Sequence, residues 1–337
     1  MKTKRYTVLL PVLGASLLTI CAFLFIFTAD KATWETMAEE ENERKTVLIA
    51  GVDDVGENTD VLLICSLEKE TGRVTLLQIP RDTYYKTANG TGRINRIFRS
   101  YASKYGRKDA AGRFCNEISG ALGIPLDGYV ILSTRTLGEL TDLVGGVTVD
   151  VPVPITYFDA EGGTTRTIPK GVRKLGGREA VAYVRHRHGY AEGDLGRLDA
   201  QMRFLAGAVE ALPNLKKTGA LLTIYKKILP NLLTNLGEKD IMEIMMVCLK
   251  KRSAPCLSFT RLSGEACYTG GCWYYVLHRE TVERMLQKEF SVHADFDAEG
   301  RFYDEQNEKM RNVYRARGIP YRVYTASEAS GKRVLRE

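Results

Sequence analysis

The sequence predicts an α/β protein: a three-layer α/β/α domain with a central mixed sheet, preceded by one N-terminal transmembrane helix. Three observations predict it. A charge-free stretch runs from Tyr6 to Ala29; short apolar, β-branched runs recur after Lys45; and segments of helical spacing alternate with those runs. Such a sheet is covered on both faces and takes its ligands at the strand ends.

The first element is the anchor. Residues 1–5 carry Lys2, Lys4 and Arg5, and residues 6–29 include "LLTICAFLFIF". Roughly 20 apolar residues cross a bilayer, and the basic flank stays in the cytoplasm, so everything after Asp30 is expected outside. A cleaved signal peptide would have a shorter apolar core, about 7–15 residues, with an A-x-A site, and none follows. Residues 30–44, "DKATWETMAEEENER", read as a polar linker.

Residues 45–290 are long enough for one large domain. "TVLIAG", "VLLICSL" and "VTLLQI" are core strands, the last two joined through "EKETGR". "INRIFRSYASKYG" and "AAGRFCNEISGALG" have helical spacing and stop at glycine. Then come the strand "GYVILS", the helix "RTLGELTDLVGG", the strand "VTVDVPVPI", and the helices "GGREAVAYV" and "RLDAQMRFLAGAVEAL". Residues 291–337 are polar and read as a weakly attached tail with one helical stretch. Cys267 and Cys272 flank "YTGG", where a bridged turn is one option.

The formal net charge of +7 is modest for 337 residues, and part of it belongs to the anchor's flank. An outward-facing domain has no nucleic acid to meet, and none is expected as a partner. The cell membrane is.

Polar residues gather where the strands end. The first strand runs into Asp53 and Asp54, the second is preceded by Asn58-Thr59-Asp60, and the third runs into Pro80-Arg81-Asp82. Asp53, Asp54 and Asp60 can simply shape a turn around Gly56. Asp53 and Asp60 can equally hold Mg²⁺ through hard oxygen donors, with a ligand's phosphates completing the octahedron.

"YVRHRHGYAEGDLGR" adds Arg185, Arg187 and Arg197, with Asp194 among them. Such a cluster repels itself unless an anion or carboxylates sit inside it. Guanidinium forks suit phosphate, and Arg185 and Arg187 share a side only if the helix ends near Val184 and the chain then extends. His186 and His188 face the other way and have surface or packing roles. The segment from Gly193 to Arg197 precedes a helix, where free amides attract anions, or else Asp194 only caps it. Neither a phosphate-binding loop of the G-x-x-x-x-G-K-[ST] type nor a G-x-S-x-G elbow occurs, so the substrate is expected to bring the nucleophile.

"VLIAGVDD", "TDVLLICSLEKETGRVTLLQIPRDTY", "RIN", "LVGGVTVDVP", "LGGREAVAYVRHR" and "GDLGRLDAQ", in this order, resemble the LytR-CpsA-Psr family of membrane-anchored cell-wall phosphotransferases. The resemblance implies transfer of a glycopolymer, such as a teichoic acid or capsule chain, from an undecaprenyl-pyrophosphate carrier to peptidoglycan, with Mg²⁺. It assigns Asp53 and Asp60 to the metal, and Arg81, Arg93, Arg185, Arg187 and Arg197 to the pyrophosphate. Arg81, Asp82 and Asp194 take catalytic roles, either aspartate serving as the base. Asn58 and Ala200 stand where arginines are usual, and Met202 where a glutamine is common. A polyprenyl-pyrophosphate phosphatase and a non-catalytic lipid-pyrophosphate binding protein are the alternatives. "FLAGAVEAL" and "LLTIYKKIL" could line a lipid groove or form ordinary core.

Overall fold

The computed structural model describes residues 44–53, 57–87, 90–159, 162–190, 194–211, 228–229, 232–237, 239–241, 257–292 and 296–330. The expected anchor and most of the linker lie outside the described residues, as does "LLTIYKK" of the possible lipid groove. Among the described residues no helix is long and apolar enough to cross a membrane.

The apolar runs near the start form β1 (Arg44–Val52), β2 (Thr59–Glu68) and β3 (Val74–Gln78). They are followed by β4 (Tyr84–Thr87), β5 (Gly90–Arg93), α1 (Ile97–Tyr105), α2 (Arg107–Leu122), β6 (Gly128–Ser133) and α3 (Thr134–Leu143). Next come β7 (Val147–Val151), β8 (Ile155–Asp159), β9 (Thr164–Ile168), β10 (Gly171–Leu175), α4 (Gly177–Arg185) and α5 (Asp194–Ala211). The remainder supplies β11 (Leu233–Thr234), β12 (Leu257–Arg261), β13 (Gly264–Thr269), β14 (Cys272–Leu277), α6 (Arg279–Phe290), α7 (Glu308–Tyr314), β15 (Val323–Thr325) and α8 (Ala326–Ala329).

Seven strands form the central mixed sheet in the order β11-β6-β1-β2-β3-β12-β15. β1 is parallel to β6 and antiparallel to β2, β2 is antiparallel to β3, and β3 is parallel to β12. The C-terminal ends of β1, β3, β6 and β12 and the N-terminal end of β2 therefore reach one edge. β1 and β2 are interior strands, which is why both read as nearly continuous apolar runs.

The largest core lies on one face, where Leu48, Ala50, Leu62, Ile64 and Leu77 pack with Phe98, Phe114, Ile118, Val282 and Met285. On the other face Leu76, Leu257 and Phe259 meet Met202 and Ala206 of α5 and Ala326 and Ala329 of α8. A separate core joins Val147, Val149 and Val151 to Tyr183, Ala200 and Phe204, beneath α4 and α5. Close approach there requires glycine: a Cβ on Gly207 would stand 2.4 Å from the Thr148 carbonyl oxygen.

Three sequence expectations change. "VTVDVPVPI" is two strands; β8 pairs with β9 in a hairpin and β10 returns to pair with β7, and the mostly exposed polar residues of β9 and β10 hid them from a search for apolar runs. Cys267 pairs in register with Tyr274 and Cys272 with Thr269, and both are free thiols. The C-terminal segment is no loose tail. Phe296, Phe302, Met310 and Tyr314 are buried in the largest core, and β15 pairs with β12. These apolar residues are set singly among charged ones, so the composition of the stretch conceals them.

That segment also docks through buried polar groups. Arg301 pairs with Glu117 of α2, whose carboxylate accepts from Tyr85 Oη at 2.9 Å and Tyr101 Oη at 3.0 Å. Asp297 accepts from Tyr314 Oη at 2.5 Å and from the Phe302 amide at 3.3 Å, and burial pushes its carboxyl above the ordinary range.

Phe302→Ala, at a site with no exposure, is expected to destabilise the fold by about 3–5 kcal/mol in denaturant titrations. The native fold holds the Asp297 proton more tightly than the unfolded chain does. This group's contribution to stability therefore declines as pH rises from the ordinary carboxylate range through the raised value. Asp297→Asn should flatten that part of the stability curve, read as unfolding midpoints between about pH 4 and about pH 7.

Candidate active site

The sheet edge where β1, β2 and β3 end carries one connected set of charges. It begins with a defect in the ladder: Gly51 pairs with Val61 but Val52 pairs with Thr59, so Asp60 is the extra residue of a bulge. Bulges re-aim side chains at sheet rims. Across the turn, the Asp53 amide donates to the Asn58 carbonyl at 3.2 Å, which puts Asp53 at the strand end beside that bulge.

Arg81 follows β3 in a tight turn, which the Thr83 amide and hydroxyl close on the Pro80 carbonyl at 3.0 and 2.6 Å. The Asn95 amide donates to the Arg81 carbonyl at 3.2 Å, tying in the "RIN" segment. So held, the Arg81 side chain is 12% exposed and meets three carboxylates: Asp60 at 2.8 Å, Asp194 at 3.7 Å and Asp82 at 3.8 Å. Arg187 reaches the same Oδ1 of Asp60 at 3.3 Å, and Arg93 reaches Asp82 at 3.4 Å.

α5 supplies the last pair. Helix starts at Asp194 itself, so Arg197 lies within the first turn and not before it, and donates to Asp194 at 2.8 Å. Its neighbour Gly196 has to be glycine, because a Cβ there would stand 2.5 Å from Cβ of Tyr190. The Arg197 side chain is 1% exposed. Burial pulls its guanidinium down to about 10, Arg81 and Arg187 push the same way, and Asp194 and Asp60 oppose them. It remains charged at neutral pH.

Four guanidiniums thus share three carboxylates, a net positive site. Within it Arg81 Nε, Arg197 Nε and Asp82 Oδ1 are buried and form no hydrogen bond among the described residues. Unmet donors and excess positive charge in a partly dry site favour a multiply charged oxyanion.

Of the residues singled out in the sequence, Asp60, Arg81, Asp82, Arg93, Arg187, Asp194 and Arg197 are in this network. Asp53 borders it. α4 ends at Arg185 and His186 is extended, so the chain does straighten there, but Arg185 is exposed and forms no ion pair among the described residues. His186 packs edge-on against His188 and Tyr190, with centroids 6.2 and 5.5 Å away. Ala200 has no exposure and lies in apolar core.

Sequence reasoning missed a clamp behind the network. Gln78 ends β3, accepts from Arg261 Nε at 3.3 Å and donates to the Leu198 carbonyl at 3.1 Å and to Gln201 at 3.4 Å. Gln201 in turn donates to the Val184 carbonyl at 3.1 Å, and Arg261 pairs with Asp199. The ends of β3, β12 and α4 and the start of α5 are thereby fixed together. The one local signal was a glutamine closing an apolar strand.

A mixed sheet with this arginine-carboxylate cluster on its strand ends defines an α/β protein whose sheet edge is suited to an anion. The sequence model of the LytR_cpsA_psr family matches residues 27–291, and the chain belongs to that family. It is 28% identical over 234 residues to the polyisoprenyl-teichoic acid–peptidoglycan teichoic acid transferase TagU of Bacillus subtilis strain 168, across 68% of this chain and 72% of TagU. It is 30% identical over 203 residues to the cell wall biosynthesis protein LcpA of Corynebacterium glutamicum, across 53% of this chain and 36% of LcpA. The fold matches the crystal structure of B. subtilis TagV with a TM-score of 0.60 at 23% identity, across 76% of this chain and all of that one (100%).

Arg197→Met is expected to leave stability within about 1 kcal/mol or raise it, because Asp194 is a third exposed and keeps Arg81 nearby. The same change should weaken binding of inorganic pyrophosphate about tenfold or more. Unfolding midpoints and calorimetry on the same samples check both halves.

Proposed function

We propose that this chain transfers a glycopolymer, a teichoic acid, capsule or related wall polysaccharide, from an undecaprenyl-pyrophosphate carrier to peptidoglycan. In this reading it is a single-pass protein of the cell membrane, with the catalytic domain outside. Family membership and the transferase activity named for TagU support the reaction class. The observation that carries it is the Arg81 cluster: four guanidiniums on three carboxylates, one of them buried.

The chemistry follows from those groups. An acceptor hydroxyl oxygen attacks the phosphorus that bears the sugar, the bridging P–O bond breaks, and lipid phosphate leaves with the electron pair. Negative charge grows on both phosphates, and fixed guanidiniums stabilise it more in the transition state than in the ground state. Arg81, Arg187 and Arg197 take the pyrophosphate, Arg93 closes its Asp82 side, and exposed Arg185 guides the incoming anion. The hydroxyl proton passes to a carboxylate. Asp82 suits this better than Asp194, because its two ion pairs, to Arg93 at 3.4 Å and Arg81 at 3.8 Å, are both longer than a hydrogen bond, whereas Asp194 accepts one from Arg197 at 2.8 Å.

Mg²⁺ fits the same edge. Both ion pairs to Asp60 end on Oδ1, which leaves Oδ2 for a hard cation, with Asp53 at the neighbouring strand end. No group of three or more His, Cys, Asp or Glu suited to a metal occurs among the described residues, so phosphate oxygens and water would complete the shell. Bound there, the ion would neutralise charge on the pyrophosphate.

The test gives the chain a polyprenyl-pyrophosphate saccharide and peptidoglycan oligomers, with and without Mg²⁺, followed by mass spectrometry. A saccharide-phosphate adduct on the oligomer is expected. Lipid phosphate without adduct would mean a phosphatase, and binding without turnover a binding protein. Arg81→Ala should lower turnover by about 10²-fold or more, and Asp60→Ala should remove the Mg²⁺-dependent part while pyrophosphate still binds.

A further inference from the structure

The hairpin of β13 and β14 carries an aromatic pair that the reaction above does not use. Tyr268 and Trp273 are opposite one another in register, their rings 5.1 Å apart and tilted by 51°. They are 52% and 58% exposed.

This hairpin is bolted to the charged site. The Tyr275 amide donates to the Asp82 carbonyl at 2.9 Å, Thr83 bridges to Tyr275, and Arg93 Nε donates to the Trp273 carbonyl at 3.1 Å. Tyr84 packs edge-on against Tyr274 at 5.2 Å. The hairpin therefore adjoins the site on the side of Asp82, with Arg93 reaching both the Trp273 carbonyl and Oδ1 of Asp82, the latter at 3.4 Å.

We infer that Tyr268 and Trp273 form a stacking platform for a sugar ring of the acceptor glycan, next to the carboxylate that receives its hydroxyl proton. The inference rests on the transferase reading. A pyranose has an apolar C–H face whose slightly positive hydrogens complement the negative face of an aromatic ring, and a rim of hydroxyls. A membrane-inserting loop needs a wider apolar patch than this one ring pair on a hairpin that also carries Glu265, 60% exposed. The donor's sugar is tied to the pyrophosphate in the arginine cluster, so the Asp82 side is left to the acceptor.

The chain has two tryptophans, so Trp34→Phe makes Trp273 the sole reporter. With this full-length variant in detergent, peptide-free peptidoglycan glycan oligomers should shift Trp273 emission to the blue and saturate. Tyr268→Ala in that background should weaken the affinity about fivefold to tenfold and leave inorganic pyrophosphate binding unchanged. An unmoved emission, or an affinity indifferent to Tyr268→Ala, would overturn the platform. So would quenching of Trp273 by brominated lipid after reconstitution into vesicles, which would assign the pair to the membrane surface. Failure of the parent chain to bind pyrophosphate would instead strike the transferase reading on which the platform rests.

Discussion

The ion pairs of Arg81 are the constraint on which the rest of the site depends. One guanidinium reaches Asp82 in its own turn, Asp60 of β2 and Asp194 of α5, so it joins three separate segments. Each carboxylate then holds a further arginine: Arg187, Arg93 and Arg197. Remove Arg81 and three like-charged carboxylates lose their common partner. The sheet makes this possible by bringing the end of β3 and the bulged start of β2 to one edge.

The arrangement sacrifices stability for a charged, partly dry pocket. A buried guanidinium such as Arg197 is costly to desolvate, and a well-packed apolar side chain would be at least as stable there. What the charge supplies is a fixed field that needs little reorganisation when an anion arrives. Gln78, Gln201 and Arg261 keep that field rigid by locking the elements behind it, with every bond in the chain of contacts running between different segments. Ala200, one turn beyond Arg197 along α5, by contrast packs in apolar core.

Much of this was legible in the sequence. β1, β2 and β3 were visible because interior strands need apolar residues on both faces, and the acidic and basic residues after them marked the strand ends. Arg185 and Arg187 can share a side only if the helix ends near Val184; α4 does end at Arg185, and only Arg187 joins the network. β9 and β10 were not legible, because strands of mostly exposed polar residues carry no long apolar run. The contact of Arg261 with Gln78 spans 183 residues and exists only because β12 pairs with β3. No local signal could announce it. The C-terminal segment misled because its anchors, Phe302 and Tyr314 among them, stand isolated in charged sequence.

The central claim is that the Arg81 cluster is a built pyrophosphate site and not a solvated basic surface. Calorimetric titration of inorganic pyrophosphate into the purified chain, repeated across salt concentrations, tests it most directly. The account predicts saturable one-to-one binding that survives at about 0.15 M salt, because partly buried pairs are weakly screened, and that exceeds the binding of orthophosphate. Weak binding without defined stoichiometry, lost at that salt and equal for both anions, would contradict it.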